Sequence, residues 1–369
     1  MVRYIWEKPN WFNFKYDTKK LIAPLVKVRR VQGELLGKIS LLDINQETEA
    51  HAEVLVEEAV RTAEIEGMTL NKEAVRSSIA KRLGLPHGVD IKDRNADGMI
   101  DLLLDAIRFN NKPLTLARLN GWQAALFPTS YSGLKKIRAG KLRGNEPMQV
   151  VSGPIGKEKV HFEAPPKEQA DIELKYFIKW WNNNPGTMDG ILRAATAHLR
   201  FITIHPYEDG NGRIARALTD MALAQDEKLK VRFYSVSSQI MRTREDYYNI
   251  IENVQNCRID TTMWLIWFLE CVTAAIEHSQ DIIAHVFRKA EFWKKHSQTQ
   301  LNDRQRKVIA KLMGARDKEF VGGLTTRKYV GMTKISRATA FREINDLVTK
   351  GVIRHLSGKG RSVSYEIVW

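Results

Sequence analysis

Residues 201–220 read FITIHPYEDGNGRIARALTD. The apolar run FITI ends on His205, and Pro206 prevents a helix from continuing, so the imidazole is expected at the mouth of a loop and not on a packed face. Gly210 and Gly212 allow a bend tight enough to point successive backbone amides into one concavity. The stretch that follows, RIARALTDMALA, supplies a helix whose N-terminus adds positive potential to those amides. Arg213 and Arg216 lie one helical turn apart, so both guanidinium groups leave the same side of that helix. Asp209 and Asn211 offer oxygens beside the bend, and one carboxylate with phosphate oxygens is how magnesium is usually held. Together the parts describe a site for a nucleotide polyphosphate with a general base beside its α-phosphate. It is not a Walker loop, because the Gly-Lys-Ser/Thr ending is missing.

Around this stretch the chain reads as mostly helical. EAHAEVLVEEAVRTAEIEG (residues 49–67) and TTMWLIWFLECVTAAIEHSQDIIAHVF (residues 261–287) carry apolar residues at three- and four-residue spacing over many turns. One stretch breaks that pattern. In GKLRGNEPMQVVSGPIGKEKVHFEAPP (residues 140–166), β-favouring pieces at Gln149 to Ser152 and Lys159 to Phe162 flank GPIG, which predicts a β-hairpin inside a helical domain. DRNADGMID (residues 93–101) has Asp93, Asn95, Asp97 and Gly98 at calcium-loop positions, but Leu104 stands where a bidentate glutamate should close the shell. A turn capping the helix that follows is the expectation there. From residue 301, two helices, a turn, a third helix beginning near Ser336 and a strand pair around SGKG follow the plan of a winged helix-turn-helix.

The composition, 43% hydrophobic and 27% charged over 369 residues, is that of a globular chain with room for two or three domains. No stretch has the apolar length of a membrane span, and the first residues lack the pattern of a signal peptide, so a cytoplasmic protein without membrane partners is expected. Cys257 and Cys271 have no paired spacing, which argues against a disulfide framework or a zinc knuckle. Of a net charge of +15, a large share lies at the end: residues 301–369 hold 15 Lys+Arg against 6 Asp+Glu. That concentration suits a polyanion.

The run His205-Pro206-Tyr207-Glu208-Asp209-Gly210-Asn211-Gly212-Arg213, with Arg216 after it, resembles the signature of the Fic family of nucleotidyl transferases; Tyr207, where phenylalanine is usual, is the sole departure. The resemblance implies a helical Fic core with a β-hairpin flap. It implies that His205 is the catalytic residue, taking a proton from a target hydroxyl that then attacks the α-phosphate of ATP and releases pyrophosphate. The amides of Gly210, Asn211 and Gly212 would be the anion hole, Asp209 the Mg²⁺ ligand, and Arg213 and Arg216 would hold the outer phosphates. Relatives that act as kinases carry lysine where this chain has Gly212, so nucleotidyl transfer is implied. The hairpin becomes a flap that takes the target segment by strand addition, with Gln149, Val150, Val151 and Ser152 lining the adenosine and target side. REDYYNIIENVQ falls where the family makes its adenine pocket, with Tyr247 and Tyr248 packed on the base and Gln255 bonded to its edge.

TAEIEG (residues 62–67) matches Ser/Thr-x-x-x-Glu-Gly/Asn, the inhibitory helix motif of N-terminally inhibited Fic proteins. The implied physics is competition, in which Glu66 pairs with Arg216 and takes the guanidinium that should hold the γ-phosphate. In some relatives the equivalent glutamate also orients a water that removes the adenylyl group. The expected organisation is therefore an N-terminal helical region with the inhibitory helix (1–100), a Fic core (101–295) and a winged helix-turn-helix domain (296–369). The expected activity is AMP transfer from ATP, with Mg²⁺, to a hydroxyl side chain of a target protein or of the chain itself. Two alternatives stand beside it: a DNA-binding regulator whose Fic pocket senses a nucleotide, and a de-adenylylating hydrolase. In the last domain Arg337, Thr339, Arg342, Lys359 and Arg361 are candidates for DNA contact, and a homodimer interface is the other use of that fold.

Overall fold

Residues 190–204 and 211–227 form two helices on which nearly every side chain is buried. A helix with no solvent face is a central element, and the larger part of the chain is arranged around this pair. The structure is a computed structural model that describes residues 3–86, 91–153, 159–183, 186, 188–256, 260–314, 322–356 and 363–369. The chain divides into two compact units, Met1–Ile283 and Ala284–Trp369.

In the first unit a 3₁₀ turn at Ile5–Glu7 precedes α1 (Thr18–Ile39), α2 (Ile44–Ile65), α3 (Lys72–Leu83), α4 (Arg94–Arg108) and α5 (Leu116–Leu126). Each α-helix starts where a side-chain oxygen satisfies the first free amides: Asp17, Asp43, Asn71, Asp93 and Thr115. Asp93 thus bonds the amides of Asn95 and Ala96, and Asp97 bonds Ser78 and Arg82, so DRNADG is a helix start, as expected. Residue 100, the expected edge of the N-terminal region, falls inside α4.

Two antiparallel hairpins follow. The pair β1 (Tyr131–Ser132) and β2 (Lys135–Lys136) is too short to leave a period in the sequence. The predicted hairpin is β3 (Gln149–Ser152) with β4 (Lys159–Glu163), running from Gln149↔Glu163 to Ser152↔Lys159. Next come α6 (Lys167–Asn183), the central pair α7 (Gly190–Ile204) and α8 (Asn211–Glu227), then α9 (Val236–Arg242), α10 (Arg244–Gln255) and the long α11 (Thr262–Lys295), whose residues from Ala284 on belong to the second unit.

The N-terminal helices are part of this core. On α2, Val54, Leu55, Ala59, Ala63 and Ile65 are buried, and Glu58 accepts from Ser235 Oγ at 2.7 Å, from the Ser237 amide at 3.2 Å and from the Ser237 hydroxyl, closing the start of α9. On α1, Arg29 bridges Asp189 and Asp226, tying it to the start of α7 and the end of α8. The base of the β3–β4 hairpin rests on the first residues of the chain: Tyr4 packs with Phe162 and Ala164, Val150 and Trp6 lie against them, and Trp6 Nε1 donates to Glu163 O at 2.7 Å.

The second unit holds α12 (Asp303–Gly314), α13 (Thr326–Thr333), α14 (Arg337–Thr349) and an antiparallel pair, β5 (Ile353–His355) and β6 (Tyr365–Ile367), with Leu324 bridging Tyr365. Val308, Ile309, Tyr329, Ile344, Leu347 and Ile353 are in its core. Glu343 on α14 gathers Arg304, Asn302 and the Tyr329 hydroxyl. Ser336 caps α14, as its position before the third helix predicts. The order is consistent with a winged helix-turn-helix; Lys359 and Arg361 lie outside the described residues. Among the described residues no helix is long and apolar enough to cross a membrane. Cys271 is buried, and Cys257 lies outside the described residues.

Candidate active site

Helix α7 ends on His205, whose backbone is left-handed at φ 49° and ψ 59°. A residue with a Cβ is costly there, by about 1–2 kcal/mol, so its surroundings must hold it. They do. The His205 amide donates to Phe201 O at 3.1 Å, and its carbonyl accepts from Arg143 Nε at 2.9 Å. The side chain of Asn211 braces the loop from the other side, accepting from the Tyr207 amide at 3.0 Å and donating to the Tyr207 carbonyl at 2.8 Å. The Tyr207 ring is fully buried beneath the bend, and its hydroxyl donates to Asn120 Oδ1 at 2.9 Å. The extra oxygen relative to phenylalanine therefore has its own partner.

At Gly210 the backbone is again left-handed, with φ 91°, and a Cβ would stand 3.0 Å from the Phe127 ring. Gly210 is the N-cap of α8, so that helix begins without a side-chain cap, its first amides open to an anion. The space over them is not empty. A Cβ at Gly212 would meet Glu66 Oε1 at 2.2 Å, which puts the Glu66 carboxylate directly above the first turn of α8.

His205 is 8% exposed, and its Nδ1 lies 3.1 Å from Ile202 O. A carbonyl can only accept, so Nδ1 carries the proton and Nε2 keeps the lone pair. Burial pulls the imidazole pKa down to about 4, and the Arg143 charge pulls the same way, against the Ile202 carbonyl, Glu66 and Asp209. At neutral pH the ring is an uncharged base.

Arg216 is buried to within 2% and points at the end of α2, with Nε 2.5 Å from Thr62 Oγ1, Nη2 2.9 Å from Thr62 O, and Nη2 2.8 Å from Glu66 Oε1. Its Nη1 has no hydrogen-bond partner among the described residues. Burial disfavours its charge, and the adjacent Glu66 carboxylate outweighs that and raises its pKa. Arg213 stacks over the Phe127 ring at 4.7 Å and reaches Met68 Sδ at 3.2 Å and Asp209 Oδ1 at 3.4 Å. Asp209 is held by Ser132 Oγ at 2.5 Å from Oδ2, with its side chain 37% exposed.

On the hairpin, Gln149, Val151 and Ser152 are exposed, while Val150 packs toward the base. Ser152 Oγ is 2.6 Å from His161 Nε2, whose Nδ1 is 2.7 Å from Glu252, so the hairpin is stitched to α10. Among the described residues β3 pairs with β4 alone, which leaves its other edge open. The three residues expected around adenine are split. Tyr248 is 38% exposed and donates to Ile65 O at 3.1 Å, beside Glu66. Tyr247 is 2% exposed with its hydroxyl on His198 at 2.9 Å, and Gln255 is 4% exposed and donates to Thr203 Oγ1 at 3.2 Å, so both lie within the core. Sequence reasoning singled out neither Arg143 nor Ser132 nor Asn120; no period or motif marks them.

Residues 113–223 match the model of the Fic/DOC family. This stretch is a Fic domain. The Fic domain takes in α5 to α8, both hairpins and the whole bend, while residues 4–85, which carry α1 to α3 and Glu66, match a domain of unknown function, DUF4172. Protein adenylyltransferase fic-1 of Caenorhabditis elegans is 28% identical over 191 residues, covering 51% of this chain and 34% of that protein. A probable protein adenylyltransferase, aq_aa38 of Aquifex aeolicus (strain VF5), is 31% identical over 84 residues, covering 23% and 26%. The chain thus spans about a third or less of the length of these curated relatives. Among solved structures, a Fic family protein from Desulfovibrio desulfuricans G20 superposes with a TM-score of 0.56 at 16% identity over 96% of this chain and 97% of that one. A Fic-1 fragment from C. elegans does so with 0.52 at 20% identity, over 73% and 74%. At that identity these likenesses speak for the fold.

Proposed function

We propose that this chain transfers the adenylyl group of ATP to a serine, threonine or tyrosine hydroxyl of a protein, another protein or itself, and that Glu66 restrains the reaction. The observation that carries this reading is the Glu66 carboxylate over the open first turn of α8, paired with Arg216. A helix N-terminus without its own cap, flanked by two buried arginines and occupied by an acidic side chain, is ground prepared for phosphate oxygens.

His205 Nε2 takes the proton of the target hydroxyl, whose oxygen attacks the α-phosphate; the bond to pyrophosphate breaks and pyrophosphate leaves. The Ile202 carbonyl holds the tautomer that makes Nε2 the base. Negative charge of a triphosphate beside the ring works against its depressed pKa and strengthens the base when substrate is present. The amides of Asn211 and Gly212, joined by that of Gly210 once it leaves Asp209 Oδ1, to which it donates at 2.5 Å, receive the charge that develops on the phosphate, and Arg213 and Arg216 hold the outer phosphates. The open edge of β3 takes the target segment by main-chain pairing. Asp209 fits magnesium: it offers one partly exposed carboxylate, and among the described residues no group of three or more His, Cys, Asp or Glu could hold a metal ion by itself. When bound, the cation would neutralise charge on the phosphate oxygens.

The restraint is an occupancy. Glu66 and Thr62 take the Nε and Nη2 donors of Arg216, and Glu66 stands where phosphate would lie. Incubation with α-labelled ATP and Mg²⁺ tests the reading: the protein gains a mass equal to AMP when Glu66 is replaced, and gains none when His205→Ala is added. No gain in either chain refutes it. Were the chain a de-adenylylating hydrolase, Glu66 would be needed to orient water, and its replacement would abolish release of AMP from an adenylylated protein.

The second unit supports a further role in DNA contact. On α14, Arg337, Phe341 and Arg342 are exposed, and Thr339 is partly so, in a segment with 15 Lys+Arg against 6 Asp+Glu. Affinity for duplex DNA that falls steeply with salt is expected. Its absence at low salt rules this role out in favour of contact with a second copy of the chain.

A further inference from the structure

Arg143 lies in the loop between the two hairpins, away from every motif, and is 3% exposed. Its guanidinium is spent on main-chain carbonyls. Nε donates to His205 O at 2.9 Å and Nη2 donates to Pro165 O, while the Arg143 amide donates to Pro206 O at 3.0 Å. One residue therefore holds both the left-handed turn at the catalytic histidine and the end of the β3–β4 hairpin, since Pro165 follows β4 by two positions.

We propose that Arg143 is a positioning residue: its buried fork locks the His205 turn to the root of the flap, so that the base and the strand presenting the target hydroxyl keep one fixed separation. The proposal rests on the transferase reading. In that reading the target is paired to β3 and the base sits at the end of α7, two elements that do not belong to one another. A displacement of 1 Å between reacting groups can cost about a hundredfold in rate. The flap is also tied to α10 through His161 and to the chain start through Trp6, but neither tie reaches the histidine. Arginine suits the task because a planar fork can satisfy two carbonyls at a fixed angle, whereas lysine is a single point donor.

The groups charged or titratable around the imidazole are Arg143, Glu66 and Asp209. Glu66 and Asp209 are themselves paired with Arg216 and Arg213, so loss of Arg143 removes the one cation that pulls the imidazole pKa down and moves it upward from about 4.

The test uses R143M and R143K in the full-length E66G chain, with α-labelled ATP and the chain itself as acceptor. Transfer at saturating ATP is expected to fall about a hundredfold in R143M, with KM for ATP within twofold of the parent, and R143K is expected to recover part of the rate. Unchanged transfer in R143M, or a loss matched by a rise in the KM for ATP, overturns the proposal. If the E66G parent itself transfers no label, the transferase reading has failed, and Arg143 is judged on the His205 ring by NMR titration of ¹⁵N-histidine-labelled protein. A midpoint raised in R143M and held near its original value in R143K supports the hold; identical midpoints in all three chains overturn it.

Discussion

Replacing Glu66 by glycine removes one of the contacts that fix Arg216, the carboxylate at 2.8 Å, and leaves the hydroxyl and carbonyl of Thr62 in place. It also clears the ground over Gly212. A hydrogen bond to a charged group contributes about 1.5–3 kcal/mol, and with 29% of the Glu66 side chain exposed, solvent screening selects the lower part of that range. At about 1.4 kcal/mol per factor of ten, adenylyl transfer should rise roughly ten- to thirtyfold in Glu66→Gly. The backbone of Glu66, with φ −86°, is one that any residue adopts, and Glu58 and Thr62 still hold α2, so the fold is expected to survive. Glu66→Gln keeps the size and an accepting oxygen but loses the charge, and a neutral hydrogen bond is worth about half as much. The order of initial rates with α-labelled ATP and Mg²⁺ is therefore wild type, Gln, Gly, rising. Rates equal within twofold in all three chains, or Gln faster than Gly, would refute the argument from Arg216.

Tyr207→Phe gives up the hydroxyl bond to Asn120 and should lower stability by about 1 kcal/mol in urea unfolding while adenylyl transfer stays within twofold; a large loss of transfer would mean the hydroxyl does more than anchor the ring beneath the bend. Gly210→Ala forces a Cβ into a left-handed turn 3.0 Å from Phe127 and should cost at least about 1–2 kcal/mol by the same assay, a figure that an unchanged midpoint would contradict. Burial lowers His51 and His205 to about 4 and His198 to about 3. Each is neutral in the native protein, so its contribution is complete above the unfolded value near 6.5 and is lost as the pH falls toward the native one. At pH 5 each should have cost on the order of 2 kcal/mol relative to pH 7.5. Urea unfolding at the two pH values measures it, and a flat profile refutes the buried neutral state.

The bend could be read because its chemistry is written in consecutive residues: a proline that stops α7, a glycine at 210 where φ is positive, a second at 212 where a Cβ would meet Glu66, and arginines in the first turns of α8. The β3–β4 hairpin was legible from its β-favouring pieces on either side of GPIG and from the prolines that close it, and the start of α14 near Ser336. The residues that support the bend were not. Arg143 acts through main-chain carbonyls, which any sequence supplies, so its partners leave no trace in side-chain identity. Ser132 stands on a two-residue strand, too short to show a period of two, yet holds Asp209. The tyrosine pair at 247 and 248 illustrates the opposite difficulty. Adjacent helical residues diverge by about 100°, and only the packing of α10 decides that Tyr247 turns inward to His198 and Tyr248 outward to Ile65.

The hairpin base seated on Tyr4 and Trp6 bears on how this protein can be dissected. A fragment cut ahead of α5 would retain each group assigned to chemistry, yet the strand proposed to take the target would lose its floor and its arginine would lose its acidic occupant in the same stroke. Gain from the second loss and damage from the first would arrive mixed in one number. Modularity in sequence is not modularity in mechanics here, and point changes in the intact polypeptide, unlike truncation, can separate the two.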